Sequence, residues 1–146
     1  MRAGEKVSGP SAQTYRHRVA AATRQFAGHV LTSNRQARDL LTNPALQIYH
    51  GDAMTCVFDA TVAACQLRGN VDDPMVTPEI DDCRPWCRNI ARTDRDIAEL
   101  RTRRDHLTVI VDDTLAPPIR RQRDQHELQR ITTILETHDE SNGPGE

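Results

Sequence analysis

The chain has few aromatic residues, a single lysine and no long apolar run. Aromatic residues make up 3% of its 146 residues. No run of about 18 apolar residues occurs, so we expect no transmembrane helix. The N-terminal segment MRAGEKVSGPSAQ also lacks the apolar stretch of a signal peptide. The length is well below the roughly 250 residues of an eight-unit strand–helix barrel. We therefore expect one small cytoplasmic domain, or two minimal ones, without a membrane anchor.

Common catalytic motifs are missing as well. The sequence contains no glycine-rich phosphate-binding loop, no HExxH and no GxSxG. These absences argue against a nucleotide-hydrolysing enzyme, a zinc peptidase of the HExxH type and an α/β-hydrolase. We expect a protein that is not an enzyme.

Positive charge is carried almost entirely by arginine, and the excess of basic over acidic residues is greatest near the N-terminus. Of the 19 basic residues all but Lys6 are arginines. This bias is typical of a high-G+C genome, but arginine also suits phosphate recognition through its planar fork of donors. The first fifty residues hold seven basic and two acidic groups. Salt-sensitive contact with DNA and a solvated helix face are both open interpretations of this pattern. The candidate nucleic-acid-binding residues are Arg16, Arg18, Arg24, Arg35 and Arg38.

Helical periodicity dominates both ends of the chain. Apolar residues recur at steps of three and four from Ala12 to Val30, and Ser33 is placed to cap a shorter helix. Thr93 and Asp96 have the spacing of a capping box, and Pro118 suits the start of a following helix. We therefore predict a mainly α protein with an antiparallel C-terminal helical hairpin. The predicted segments are disordered residues 1–11, an N-terminal helical segment at 12–42, an insert at 43–92, the hairpin at 93–138 and a disordered tail at 139–146.

The four cysteines fall within the insert, where helical periodicity fails. Their spacing is Cys56-x8-Cys65-x17-Cys83-x3-Cys87. Four thiolates can surround one Zn²⁺ tetrahedrally, and such a closed site is structural because no position stays open for substrate. We therefore predict a small zinc-stabilised irregular insert, with His50 as a substitute ligand. An iron–sulfur cluster and four unligated thiols are the alternatives.

Three segments carry a resemblance to a known group of proteins. They are NPALQIYHG at 43–51, MTCVFD at 54–59 and DCRPWCRNIARTDRDI at 82–97. They are similar to the Cys-containing C-terminal region of integrase-like, site-specific recombinase-associated proteins of mobile elements in high-G+C bacteria. The resemblance spans about residues 34–138. It implies a role in DNA integration or recombination, through contact with DNA or a recombinase.

The catalytic residues of tyrosine recombinases do not match this chain. Those enzymes need an Arg, a His-x-x-Arg and a nucleophilic Tyr on a catalytic domain longer than this sequence. Here Tyr15 and Tyr49 precede any such arrangement, and no His is followed three residues later by Arg. We therefore expect a non-catalytic zinc-binding accessory module linked to a mobile-element integrase. The alternative is a protein-interaction adaptor that acts, and self-associates, through the helical hairpin.

Overall fold

The computed structural model describes residues 4–28, 30–69 and 76–143. Helices occupy both ends of the described chain and short strands lie mostly between them. The helices are α1 (Ala12–Phe26), α2 (Asn34–Leu41), α3 (Asp94–Val111) and α4 (Pro118–Ser141). The strands are β1 (Val7–Ser8), β2 (Ile48–Gly51), β3 (Met54–Val57), β4 (Leu67–Arg68), β5 (Thr77–Pro78) and β6 (Ile90–Thr93). Single 3₁₀ turns cover Pro44–Leu46 and Ile80–Asp82.

The prediction of a mainly α fold is wrong, because a four-stranded antiparallel sheet forms the centre of the molecule. Its strand order is β1-β6-β3-β2, and β4 and β5 form a separate two-stranded sheet. None of these strands exceeds four residues. Strand β3 is buried at every position. A strand covered on both faces shows no alternation of polar and apolar residues, so its sequence resembles an irregular segment.

Two hydrophobic clusters lie on opposite faces of this sheet. On one face, Val57 of β3 and Ala91 of β6 pack against Tyr15 of α1. On the other face, Cys56 of β3 and Ile90 of β6 belong to a second cluster. The register accounts for the division, because Cys56 is paired with Ile90 and side chains alternate between faces along each strand.

The C-terminal hairpin packs on the sheet through the first turns of α3 and the second half of α4. Helix α3 follows β6 directly, and the predicted capping box of Thr93 and Asp96 is confirmed at its start. Ile97 and Leu100 of α3 are buried against Ile131 of α4. The other residues of this cluster are Ala53 and Leu135, with Leu107 and Ile134 partly buried.

The two ends of the described chain meet. Val7 and Ser8 lie in the segment predicted to be disordered, yet they form an edge strand paired with β6. Buried His138, near the end of α4, has its Nδ1 atom 2.7 Å from Ser8 Oγ. Parts of three predicted segments lie outside the described residues. They are residues 1–3 and 144–146 of the segments predicted to be disordered, and residues 70–75 of the predicted insert. Among the described helices, none has the length and apolar character needed to cross a bilayer.

Candidate functional site

The fold brings the predicted metal-binding cysteines into one region of the molecule. Cys56 and Cys87 are buried in the cluster under β3 and β6, and partly buried Cys83 packs against the same cluster. Cys65 lies near enough that negative charge on it would raise the pKa of Cys56. All four are free thiols.

The prediction of structural zinc at Cys56, Cys65, Cys83 and Cys87 is wrong. Over residues 4–28, 30–69 and 76–143, no group of three or more His, Cys, Asp or Glu side chains is arranged to hold a metal ion. Burial raises the pKa of Cys56 to about 12 and that of Cys83 to about 11. Cys56 and Cys87 are buried among apolar residues, where a free thiol packs as a small apolar side chain. His50 is exposed, with Nδ1 3.3 Å from Thr55 Oγ1.

The five candidate nucleic-acid-binding arginines divide into two groups. Arg16 Nη2 donates to the carbonyl oxygen of Val7 at 3.0 Å. Arg18 Nη1 donates to the carbonyl oxygens of Gln47 and Phe58 at 3.1 and 2.8 Å. These two side chains therefore connect α1 to β1 and to the segments that flank β2 and β3. Arg24, Arg35 and Arg38 are exposed, and their guanidinium groups make no hydrogen bond or ion pair with other described residues.

The part of the hairpin that lies between its buried residues Leu100 and Ile131 has no core of its own. We call residues 101–130 the distal hairpin. It contains the last turns of α3, the connection and the first half of α4, and none of its residues is buried. Three large apolar side chains at or near its tip are strongly exposed: Val109 by 73%, Leu115 by 91% and Ile119 by 70%.

Sequence reasoning missed a polar cavity between the sheet and the hairpin. The cavity has a volume of about 300 Å³. Its charged lining residues come from the β2–β3 turn, the 3₁₀ turn before Cys83, β6 and both hairpin helices: Asp52, Asp81, Arg92, Arg103, Glu127 and Arg130. We call it the arginine cavity. Only the strand register and the placement of the hairpin bring these residues together, so no local spacing predicts it.

Two of the three arginines in the arginine cavity are paired. Arg103 Nη2 donates to Asp52 at 2.7 Å. Arg130 contacts both carboxylate oxygens of Glu127, at 2.7 and 2.9 Å. Arg92 is half-buried, and its guanidinium group makes no hydrogen bond or ion pair with any other described residue.

Comparison with known proteins adds no relative. No protein-family model matches the chain, and no curated protein or solved structure is similar to it.

Proposed function

We propose that the chain is a non-catalytic interaction adaptor that self-associates through its distal hairpin. The observation that carries this proposal is the exposure of Val109, Leu115 and Ile119 on a hairpin segment with no buried residue. Clustered exposed apolar side chains on a small protein are typical of association surfaces. Pairing two such hairpins would create the core that a single one lacks.

The charges near the tip favour a second copy of the chain as the partner. Asp112 caps the C-terminal end of α3, while Arg120 and Arg123 lie in the first two turns of α4. Each charge has the sign that its own helix dipole disfavours. None of the three makes an ion pair within the described residues. A symmetric hairpin pair would set the acidic end of α3 against the basic start of the other copy's α4, and both would gain.

Sedimentation velocity over a range of protein concentrations tests this proposal. We expect the wild-type chain to shift from monomer to dimer as concentration rises. Ile119→Ser removes one strongly exposed side chain from each copy. Full burial of such a side chain contributes about 2 kcal/mol, and about 70% of it is available, so a symmetric dimer loses about 3 kcal/mol. Dimerisation should weaken about a hundredfold.

Val30→Ser is the matched control. Val30 is 82% exposed but lies between α1 and α2, away from the hairpin. It should leave the dimerisation constant unchanged. A wild-type chain that stays monomeric at millimolar concentration, or equal weakening by the two substitutions, would refute self-association through the hairpin.

Contact with DNA is a second candidate function, supported by the three exposed arginines of α1 and α2. Arg24, Arg35 and Arg38 have guanidinium groups free to reach phosphates. The resemblance to integrase-associated proteins points to DNA or a recombinase as the partner, and this stays a prediction. Fluorescence anisotropy with a labelled duplex should show binding that weakens steeply with salt.

Paired substitutions separate phosphate contact from a general loss of charge. Arg35→Gln with Arg38→Gln should reduce the salt slope by about two units if both contact phosphates. Arg88→Gln with Arg101→Gln makes the same change in net charge elsewhere and should leave the slope nearly unchanged. Absence of binding at low ionic strength would eliminate the DNA function and leave the adaptor function intact.

A further inference from the structure

We propose that the arginine cavity binds a small oxyanion, with Arg92 as its anchoring residue. The ligand class is a carboxylate- or phosphate-bearing small molecule, bound once per chain. Arg103, Glu127 and Arg130 of the distal hairpin line this site, whereas the exposed apolar residues Val109, Leu115 and Ile119 do not.

The arginine cavity holds three arginines, and only Arg92 among them lacks an ion-pair partner in the described chain. The carboxylates of Asp52 and Glu127 are already engaged by Arg103 and Arg130. The third carboxylate of the lining, exposed Asp81, makes no ion pair with Arg92. Arg92 is therefore a half-buried cation without a paired counter-ion, which costs free energy. Fully buried Asp96 lies near enough to moderate this cost, but its Oδ2 atom accepts hydrogen bonds from Thr55 and Thr93 and not from Arg92.

Two positive charges, those of Arg92 and Arg130, face the same cavity. Burial and the positive charge of Arg130 both lower the pKa of Arg92, so the two guanidinium groups repel each other across the cavity. An anion between them would relieve this repulsion and the desolvation together. Arg130 contacts Glu127 through Nε and Nη2, which leaves its Nη1 donors for a ligand.

The cavity combines guanidinium donors with apolar walls. A guanidinium presents parallel N–H groups that match the two oxygens of a carboxylate or phosphate. Met54, Ile90 and Leu100 supply apolar lining, which strengthens a charged contact by excluding water. Asp81 is exposed and also lines the cavity. Its negative charge favours ligands that place their anionic group on Arg92 rather than at that residue.

Isothermal titration calorimetry with inorganic phosphate, and separately with succinate, tests the proposal. We expect saturable binding of at least one probe at one site per chain, and the tighter probe identifies the ligand chemistry. Arg92→Gln should weaken binding at least tenfold, because a charge-assisted hydrogen bond is lost. Arg88→Gln makes the same charge change at an exposed residue that does not line the cavity, and it should bind like wild type.

A measurement on the wild-type chain covers the case in which Arg92→Gln does not fold. Phenylglyoxal modifies accessible guanidinium groups, and mass spectrometry identifies the modified arginines. Phosphate or succinate should protect Arg92 while Arg88 reacts at an unchanged rate. The proposal is overturned if neither probe binds saturably to folded wild-type protein. Equal affinity of the two variants, or equal protection of Arg92 and Arg88, overturns it as well.

Discussion

The buried carboxylate of Asp96 connects the sheet to the hairpin, and removing one of its partners should measurably destabilise the fold. Asp96 is fully buried. Its Oδ2 atom accepts hydrogen bonds from Thr55 Oγ1 at 2.8 Å, from the backbone N–H of Thr93 at 3.0 Å and from Thr93 Oγ1 at 3.2 Å. Its Oδ1 atom has no hydrogen-bond partner in the described chain, although the guanidinium of Arg95 lies 3.6 Å away.

Thr55→Val tests this network with little change of shape. The substitution removes one donor to a buried charged acceptor and leaves β3 without its direct hydrogen bond to α3. A hydrogen bond to a charged group contributes about 1.5–3 kcal/mol, so the free energy of unfolding should fall by about that amount. This is a large share of the roughly 5–15 kcal/mol typical of a small domain.

Urea unfolding followed by far-ultraviolet circular dichroism measures the change, with an unchanged denaturant slope showing that the two-state transition is preserved. Thr108→Val is the matched control, because the Thr108 hydroxyl donates to the Arg104 carbonyl on the exposed face of α3. It should cost less than about 0.5 kcal/mol. If Thr55→Val costs no more than Thr108→Val, the Asp96 network does not stabilise the junction of sheet and hairpin.

Three further predictions concern the cores and the thiols. Ile131→Ala should lower the free energy of unfolding by about 2–5 kcal/mol, because Ile131 is fully buried. Leu128→Ala, at a half-buried site, should lower it clearly less, and equal losses in urea titrations would contradict the burial of Ile131 between the hairpin helices. The free energy of unfolding should fall as pH rises from about 9 towards 12, because a thiol of the unfolded chain ionises near pH 9 whereas burial raises the pKa of Cys56 to about 12. Cys56→Ala should flatten this decline in urea titrations at a series of pH values under reducing conditions. In native protein, Ellman's reagent should modify half-buried Cys65 before Cys56, and equal rates by peptide mass mapping would contradict their burial.

Features that depend on local spacing were predictable from the sequence. The capping box at Thr93 and the proline start of α4 at Pro118 depend on neighbouring residues only. Ser33 also caps α2 as predicted, and it accepts a hydrogen bond from the Gln36 backbone N–H at 3.3 Å. The apolar stripe predicted to continue to Val30 stops earlier, because α1 ends at Phe26.

The sheet could not be predicted in the same way because its pairings are distant in sequence. Val7 pairs with Thr93, and Cys56 pairs with Ile90. Each strand is too short to show a period, and the strongest signal in this region was the four cysteines. Their clustering was interpreted as metal coordination, but the same clustering results when small apolar side chains fill the core beneath a short sheet.

The candidate sites show why residue type alone did not identify them. Arg18 and Arg92 are chemically the same, yet Arg18 donates to two backbone carbonyls while Arg92 has no paired partner in the described chain. The difference arises from strand register: Arg92 lies two residues after Ile90 and therefore points to the same face of the sheet, the face that the hairpin does not fully cover. A shift of one residue in the β3–β6 register would turn Arg92 towards α1 and remove the cavity's unpaired cation. The oxyanion site is thus a consequence of how β6 is paired.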